Sequence, residues 1–473
     1  MLTYDLDRRG KLARYDYLYR CIREDILAGR LTAGEKLPSK RSLASHLQTA
    51  VITVQNAYAQ LEAEGYLYTR EKRGYYVADV ERHPAAPGRA PARSAPQPQR
   101  SWLLDLSSGG SGTEDFPFSV WAKLMRRVLS EEGEALLRAT PPNGADALRR
   151  AIAQHLYRFR GISAAPEQIV VGAGTEYLYN LIVQLLGREA VYGVEDPGYS
   201  KAARIYALGG ARTAPVLVDE GGVSLRSLEM SGAQILHTSP NHQFPTGAVT
   251  PIGRRQSLLR WAEAREGRYI IEDDYDSEFR FTLRPIPTLQ SIDRAGRVIY
   301  VNTFSRTLAP SLRISYMVLP KSLTEHYRAQ LGFYSSTVPA MEQYTLARFL
   351  DEGYFEAHIN RMRKSYRAQR DAVIDTILQS PLGARCRVSG EDAGLHFLLT
   401  IDTKCTDHVL RADAEGRGVR LSFLSDFALR PGSAPQHTLV IHYPGIDLGR
   451  LRSALSILEA LLYFRDWKYK GRK

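Results

Sequence analysis

Apolar residues recur with helical spacing near the start of the chain. Leu18, Ile22 and Ile26 stand four residues apart and would line one face of a first helix. A second helix should begin after Ser39, whose hydroxyl suits an N-terminal cap, and a third should cover residues 51–64 after a short turn. The apolar positions therefore predict a helix-turn-helix unit.

A two-stranded element should follow the third helix. Residues 68–77 read YTREKRGYYV and alternate in strand fashion on both sides of a basic turn from Glu71 to Gly74. A glycine at the end of such a turn permits the backbone conformation that a tight hairpin needs. This segment is typical of the wing of a winged helix.

Beyond residue 102 short β-branched or aromatic runs alternate with stretches of helical length, which predicts an α/β fold. The predicted strands cover residues 168–171, 190–194, 234–237, 269–272, 298–303 and 314–318. Their order favours a mostly parallel sheet covered by helices, which binds ligands at the carboxyl ends of its strands. A helical run over 340–378 should lead into a small C-terminal subdomain with strands near 395–400 and 438–442.

Between these two regions the periodic pattern stops. Residues 82–101 read RHPAAPGRAPARSAPQPQRS and contain no regularly spaced apolar positions. Proline-rich segments favour extended, semi-rigid conformations, so we expect a linker over 81–101. It would separate a domain over 1–80 from a larger one over 102–473.

Composition and charge narrow the class of protein. The chain has 473 residues and a formal net charge of +12, which favours a polyanionic partner. Its three cysteines, Cys21, Cys386 and Cys405, are far apart and indicate reduced thiols rather than disulfides or a metal site. We find no signal peptide and no apolar run long enough to span a membrane, so we expect a cytoplasmic protein.

The first domain resembles the GntR-type winged helix-turn-helix through the segments LPSKRSLA and AYAQLEAEGYL and the glycine-bearing wing. The resemblance implies a double-stranded DNA operator as partner, with phosphate contacts from the second helix and the wing and base contacts from the third helix. The candidate DNA-binding residues are Lys40, Arg41, Thr53, Gln55, Lys72 and Arg73. The chain departs from the family where Ser-Arg commonly starts the third helix, because it has Ala50 and Val51 there.

The second domain resembles the aminotransferase-like domain of the MocR/GabR subfamily of GntR regulators. The resemblance is carried by VNTFSRTLAPSLRISYM at residues 301–317, EDPGY ending at Tyr199, IIEDDYDSEFR and SPNHQFPTG. It implies the fold-type I architecture of enzymes that use pyridoxal 5'-phosphate (PLP). The family has a lysine that binds the cofactor aldehyde, and this chain has Arg306 at that position.

Each part of such a cofactor has candidate partners in the sequence. A strand-to-helix turn at Gly174, Thr175 and Glu176 would hold the phosphate through backbone amides and the helix dipole. The resemblance implies further roles: ring stacking by Tyr199, pairing with the pyridine nitrogen by Asp273, and a hydrogen bond to the phenolic oxygen from Tyr275. The remaining candidate cofactor-binding residues are Asn241, His242, Thr303, Ser305, Arg306 and Arg313.

Arg306 decides what the second domain can do. A guanidinium stays protonated, so no covalent aldimine is expected at residue 306 and we predict no appreciable turnover of amino acids. Three interpretations stay open: a regulator that senses non-covalent PLP, a PLP adduct or an amino-acid-like anion; a homodimerisation scaffold; or covalent PLP binding through another amine or where Arg306 replaces a native lysine. Lys201, close to Tyr199, is that amine in the third case and otherwise a contact for the small-molecule effector.

Overall fold

The computed structural model describes residues 2–80, 101–107, 115–281 and 286–470, with side chains described up to residue 465. The chain divides into two compact units, residues 1–99 and 100–473. The linker predicted over 81–101 lies outside the described residues except for Ser101. Each unit is therefore considered by itself.

The first unit contains the predicted three helices and a hairpin. Its elements are α1 (Arg14–Leu27), α2 (Lys40–His46), α3 (Val51–Ala63), β1 (Leu67–Arg70) and β2 (Gly74–Val77), preceded by a 3-10 turn at Leu6–Arg9. The two strands pair in antiparallel fashion. The winged helix-turn-helix predicted from the apolar spacing is confirmed.

Local sequence explains where these elements begin and turn. Leu18 and Ile22 are fully buried on α1 and pack in one cluster with Leu61 of α3. The Ser39 hydroxyl accepts a hydrogen bond from the backbone N–H of Ser42 at 3.1 Å and so caps α2 as expected. The apolar faces of α1 and α3 therefore pack against each other in the core of this unit.

The second unit begins with an α/β region. Its elements are β3 (Leu104–Asp105), α4 (Phe118–Glu132), α5 (Asp146–Arg160), β4 (Ile169–Gly172), α6 (Thr175–Leu186), β5 (Val191–Asp196), α7 (Ser200–Leu208), β6 (Arg212–Asp219), β7 (Gly222–Val223), α8 (Leu225–Met230), β8 (Ile235–Thr238), α9 (Ile252–Glu263), β9 (Tyr269–Asp273), α10 (Leu289–Ile292), β10 (Val298–Thr303), β11 (Ser315–Val318) and α11 (Lys321–Leu331).

Two long helices lead into a smaller C-terminal region. Its elements are α12 (Ala340–Asp351), α13 (Tyr354–Leu378), β12 (Cys386–Ser389), β13 (His396–Ile401), α14 (Asp407–Gly416), β14 (Val419–Arg420), β15 (Thr438–His442) and α15 (Leu448–Lys470). Strands β12, β13 and β15 form an antiparallel sheet, and β14 pairs with β3.

The main sheet has eight strands in the order β4-β11-β10-β9-β8-β5-β6-β7. Strands β10, β9, β8, β5 and β6 are mutually parallel, whereas β11 and β7 run antiparallel to their neighbours. Strands β4, β8 and β10 are buried along their whole length, as expected for a sheet covered on both faces. The predicted α/β class with a mostly parallel sheet is confirmed.

Several details differ from the sequence prediction, which also did not include the short strands β3, β7, β12 and β14. Strand β6 was not expected, because it contains Pro215 and its buried and exposed positions do not alternate regularly. The helical run over 340–378 is two helices, since Gly353 takes a left-handed conformation with φ 76° and separates α12 from α13. Among the described helices, none is both long enough and apolar enough to cross a bilayer.

Candidate functional site

A pocket with about 540 Å³ of empty volume lies at the carboxyl ends of the central strands. Asp273 ends β9, Thr303 ends β10, and Ser239 follows β8. The residues that line the pocket are Thr175, Tyr179, Tyr199, Ser239, Phe244, Asp273, Tyr275, Thr303 and Arg306. The sheet order thus brings together six residues singled out from the sequence.

One carboxylate oxygen of Asp273 takes part in a buried hydrogen-bond network. Its Oδ2 accepts a hydrogen bond from the Tyr179 hydroxyl at 2.5 Å and lies 3.4 Å from Nε2 of His237. The other nitrogen of His237 lies 2.6 Å from the Tyr206 hydroxyl. The second carboxylate oxygen, Oδ1, is buried and has no partner within the described part of the chain. Because Oδ2 is already satisfied, Oδ1 is the atom available to a ligand that donates a hydrogen bond.

The turn between β4 and α6 forms a close-fitting cradle. Gly174 caps α6 with φ 95°, and a Cβ atom at this position would clash with the Arg313 guanidinium. Arg313 itself has a left-handed conformation with φ 50°, which brings its side chain against the helix start. Backbone N–H groups, the helix dipole and a guanidinium therefore converge on the first turn of α6, as an anion such as a phosphate requires.

Glu176 forms ion pairs with the two cations beside this turn. Its Oε1 lies 2.8 Å from Nζ of Lys201 and its Oε2 lies 3.4 Å from Nη2 of Arg313. The hydrogen bond from Lys201 lowers the pKa of Glu176, and the same bond raises the pKa of Lys201. All three side chains are 41–56% exposed, so a competing anion can reach them. The sequence placed Glu176 among the cofactor contacts, whereas here its carboxylate pairs with two cations.

Arg306 projects into the pocket as an exposed cation. Its guanidinium has no hydrogen bond or ion pair with any residue that the structure describes. Burial lowers the pKa of His442 to about 4, and the charge of Arg306 contributes in the same direction. Burial likewise lowers the pKa of His396, with smaller contributions from His242, His442 and Arg306. Arg306 is therefore free to meet an anionic group, while two histidines near it stay neutral.

Thr303 and Ser305, two of the candidate cofactor-binding residues, differ in whether their hydroxyl groups are available to a ligand. The Thr303 hydroxyl accepts from the Ser315 hydroxyl at 2.7 Å and from the Ser305 backbone N–H at 3.1 Å, and it points to the Ile314 carbonyl at 3.4 Å. The Ser305 Oγ is buried and has no partner among the described residues. Ser305 is thus the hydroxyl that remains able to donate to a ligand.

Asn241 and His242 do not line the pocket. Asn241 donates to Asp274 Oδ1 at 2.8 Å and accepts from Arg255 at 3.0 Å, so both ends of its amide are used within the protein. His242 Nδ1 lies 2.9 Å from Asp276 Oδ2 and 3.1 Å from the Tyr275 hydroxyl. His242 therefore acts on the pocket through Tyr275, whereas Asn241 secures the loop.

His242, Asp276 and His396 also form a compact group, in which one donor atom of each lies within 4.8 Å of the others. We predicted no metal site from the sequence. The hydrogen bonds from His242 to Asp276 and from His396 to the Pro245 carbonyl at 3.0 Å account for this arrangement.

Sequence reasoning missed three residues of the pocket: Tyr179, Ser239 and Phe244. Ser239 and Phe244 belong to the SPNHQFPTG loop, in which we selected the polar residues Asn241 and His242 instead. Tyr179 stands four residues after Thr175, which places both on one face of α6. This four-residue spacing from Thr175 could have identified Tyr179 as a pocket residue from the sequence.

The predicted DNA-binding residues lie on α2, α3 and the wing. Arg41 and Gln55 are exposed, and Lys40 and Thr53 are half-buried. The ammonium group of Lys40 lies 5.0 Å from the ring centre of Tyr75. The exposed pair Lys72 and Arg73 forms the wing turn, in which Lys72 has φ 58°.

Comparisons with known families agree with this architecture. Residues 14–77 match the model of bacterial regulatory proteins of the gntR family, and residues 103–412 match that of aminotransferases of class I and II. The first match covers α1 to β2, and the second covers the eight-stranded sheet and its pocket.

Whole-length relatives share both parts. The chain is 36% identical to an uncharacterized HTH-type transcriptional regulator, YdeL of Bacillus subtilis, over 97% of this chain and 99% of that protein. It is 34% identical to a probable rhizopine catabolism regulatory protein, MocR of Rhizobium meliloti, over 96% of this chain and 95% of the relative. The crystal structure of a multiple substrate aminotransferase from Thermococcus profundus superimposes with a TM-score of 0.69 at 22% identity, over 79% of this chain and 93% of that one.

Proposed function

The chain belongs to the GntR family of bacterial transcription regulators, in the MocR/GabR subfamily that joins a GntR domain to an aminotransferase-like domain, and we propose that its second domain senses a small anionic ligand without covalent capture at residue 306. The observation that carries the proposal is that one pocket contains the buried Asp273 Oδ1 and the Arg306 guanidinium, neither of which has a partner among the described residues. These groups suit a ligand that donates a hydrogen bond at one end and carries negative charge elsewhere.

PLP or a PLP adduct is the ligand class that fits these residues best. When bound, PLP supplies an electron-withdrawing pyridine ring, an aldehyde and a phosphate. Asp273 would accept a hydrogen bond from the protonated ring nitrogen, and the first turn of α6 with Ser305 and Arg313 would hold the phosphate. Tyr199 is 39% exposed on the pocket wall and offers a ring face for stacking.

The chemistry of Arg306 supports a regulatory function for the second domain and argues against transamination. Transamination needs an amine that both attacks the aldehyde and moves a proton between carbon atoms. A guanidinium keeps its proton in water, so it does neither and instead provides a fixed positive charge. Lys201, the other amine considered, is engaged by Glu176 at 2.8 Å and its raised pKa favours the charged form. We therefore propose no appreciable amino-acid turnover.

The same subunit would work as a homodimer that places two winged helices on two half-sites of a DNA operator. Ligand binding then changes operator affinity only by as much as it favours one arrangement of the DNA-binding domains over another. A scaffold function without a ligand is the competing proposal. Glu176 favours it, because this carboxylate already neutralises Lys201 and Arg313 within the protein.

An absorbance titration of the full-length protein with PLP separates the two functions. Sensing predicts a saturable spectral change in the wild-type protein and no PLP adduct after borohydride reduction and mass analysis. Arg306→Lys should trap one PLP per chain, and Arg306→Gln is the matched control that removes the charge without adding an amine. An unchanged wild-type spectrum, with trapping by Arg306→Lys, would support the scaffold. Trapping by the wild-type protein at Lys201 would overturn the non-covalent proposal.

A further inference from the structure

The outward face of α3 has a side-chain composition that selects particular base pairs. Val54, Ala57, Tyr58 and Leu61 are fully buried and define the inward face of the helix. Ile52, Gln55, Asn56 and Ala59 are exposed on the other side, at the spacing i, i+3, i+4 and i+7 that forms one continuous stripe. Ile52 is 57% exposed and stands at the N-terminal end of this stripe.

Helix α3 also contains no lysine or arginine in its sequence VITVQNAYAQLEA. The basic groups of this domain stand on neighbouring elements instead: Lys40 and Arg41 begin α2, and Lys72 and Arg73 form the wing turn. This distribution separates two tasks. We expect the basic residues around α3 to contact phosphates, whereas the exposed stripe of α3 presents amides and apolar groups to the groove.

We propose that α3 reads A·T base pairs in the major groove, with the Ile52 side chain against a thymine methyl group and the amides of Gln55 and Asn56 on adenine. In the major groove thymine exposes its 5-methyl group, and adenine exposes the N7 acceptor and N6 donor that match a carboxamide. Guanine is read most often by arginine or lysine, and α3 provides neither. The inference rests on the proposed function, because it requires that this domain binds an operator.

Electrostatic complementarity supports DNA as the occupant of this stripe. The flanking cations Arg41 and Arg73 are exposed and would neutralise phosphates on either side of the groove. An apolar contact then adds base selectivity without adding general affinity. Burying one methyl group contributes roughly a three- to fourfold difference in affinity.

The test replaces single atoms in the DNA rather than in the protein. Full-length protein would first select duplexes from a randomised pool at one fixed salt concentration. Each thymine in the selected site would then be replaced by deoxyuridine, which lacks only the 5-methyl group, and each adenine by 7-deazaadenine, which lacks the N7 acceptor. We expect that replacing one particular thymine in each half-site by deoxyuridine lowers the affinity of the protein for the duplex roughly three- to fourfold.

The variant Ile52→Ala tests whether Ile52 is the residue that contacts the thymine methyl group. Ile52→Ala should bind the thymine and deoxyuridine duplexes equally, since the methyl group no longer has a partner. Gln60→Ala, an exposed change near the end of the same helix, should keep the full thymine preference. Because Ile52 is largely exposed, thermal melting of Ile52→Ala should match the wild-type protein.

The possible failures are distinguishable. If no duplex is enriched above the pool, the proposed function as a sequence-specific regulator fails. If a site is enriched but its conserved core is G·C, or if deoxyuridine has no effect at any thymine, the proposed function stands and the A·T reading by α3 is overturned. Equal methyl dependence in the wild-type protein and Ile52→Ala would overturn the role of Ile52.

Discussion

Tyr179 donates a 2.5 Å hydrogen bond to Oδ2 of Asp273, while Oδ1 of the same carboxylate is buried without a partner among the described residues. The two residues stand 94 positions apart, one on the first turns of α6 and the other at the end of β9. This bond fixes one side of the carboxylate and leaves the other for a ligand. This geometry suits a ligand that donates a hydrogen bond to Oδ1.

Tyr179→Phe should therefore reduce both stability and PLP affinity. Loss of a hydrogen bond to a buried carboxylate costs about 1–3 kcal/mol, so we expect a lower melting temperature and PLP binding weaker by roughly tenfold. Tyr192→Phe is the matched control, because Tyr192 donates to the neutral Gly187 carbonyl at 3.1 Å and does not line the pocket. Equal effects of the two changes would contradict a special role for Tyr179.

Glu176→Gln should strengthen the binding of phosphate-containing ligands. The substitution removes the charge that competes for Lys201 and Arg313, which the carboxylate contacts at 2.8 and 3.4 Å. Because these groups are about half exposed, we expect a gain of about 0.5–1 kcal/mol, or roughly two- to fivefold, in titrations with PLP and with inorganic phosphate. Glu131→Gln is the control, since Glu131 pairs with Arg348 elsewhere on the surface. Weaker binding by Glu176→Gln would show that the carboxylate assists the ligand.

Stability should decrease between about pH 6.5 and pH 4 in part through His442. Burial and the positive charge of Arg306 lower the pKa of His442 to about 4, whereas the unfolded side chain titrates near ~6.5. Within this window the unfolded chain binds a proton that the folded chain does not, so stability falls as the pH drops. Thermal melts across this range should show a smaller decrease for His442→Gln than for the wild-type protein.

Arg306→Gln provides the complementary measurement. Removal of the guanidinium charge should raise the pKa of His442 and make the pH-dependent loss of stability smaller, although burial continues to favour the neutral form. Identical pH profiles for Arg306→Gln and the wild-type protein would show that burial alone controls His442.

Lys72→Ala should weaken binding to all duplexes by a similar factor and reduce the slope of log affinity against log salt concentration by about one. Lys72 is exposed in the wing turn, where it suits a phosphate rather than a base. Lys11→Ala, another exposed lysine of the first domain that lies outside α2, α3 and the wing, serves as the control. A change in base preference at one position of the site would contradict the phosphate assignment.

Deletion of residues 1–80 should abolish operator binding and leave the proposed homodimer intact, as measured by electrophoretic mobility shift and by light scattering. The reason is that the second unit has its own cores, which include Leu124, Ile152 and Phe397 in one cluster and Ile182 in another. Specific operator binding by the truncated protein would refute this division of tasks.

Sequence alone determined the two-domain plan and most of the strands and helices that form the winged helix and the core of the main sheet, because periodic burial is a local property of the chain. The spacing of Leu18, Ile22 and Ile26 predicted α1, and the β-branched run at 298–303 predicted β10 at its observed bounds. The motifs also located the strand ends that carry Asp273 and Thr303. The pattern did not predict β3, β6, β7, β12 and β14; in β6, Pro215 and an irregular order of buried and exposed positions obscure the strand.

Only the tertiary structure decided which side chains are available to a ligand. Glu176 and Arg313 are 137 positions apart and meet because β4 and β11 are neighbours in the sheet. Asn241 does not line the pocket, and Asp274 and Arg255 bind both ends of its amide, whereas the Ser305 hydroxyl has no partner in the described part of the chain. Hydrogen bonding is short-ranged and saturable, so the partners of each polar group depend on contacts between distant segments that no local pattern records.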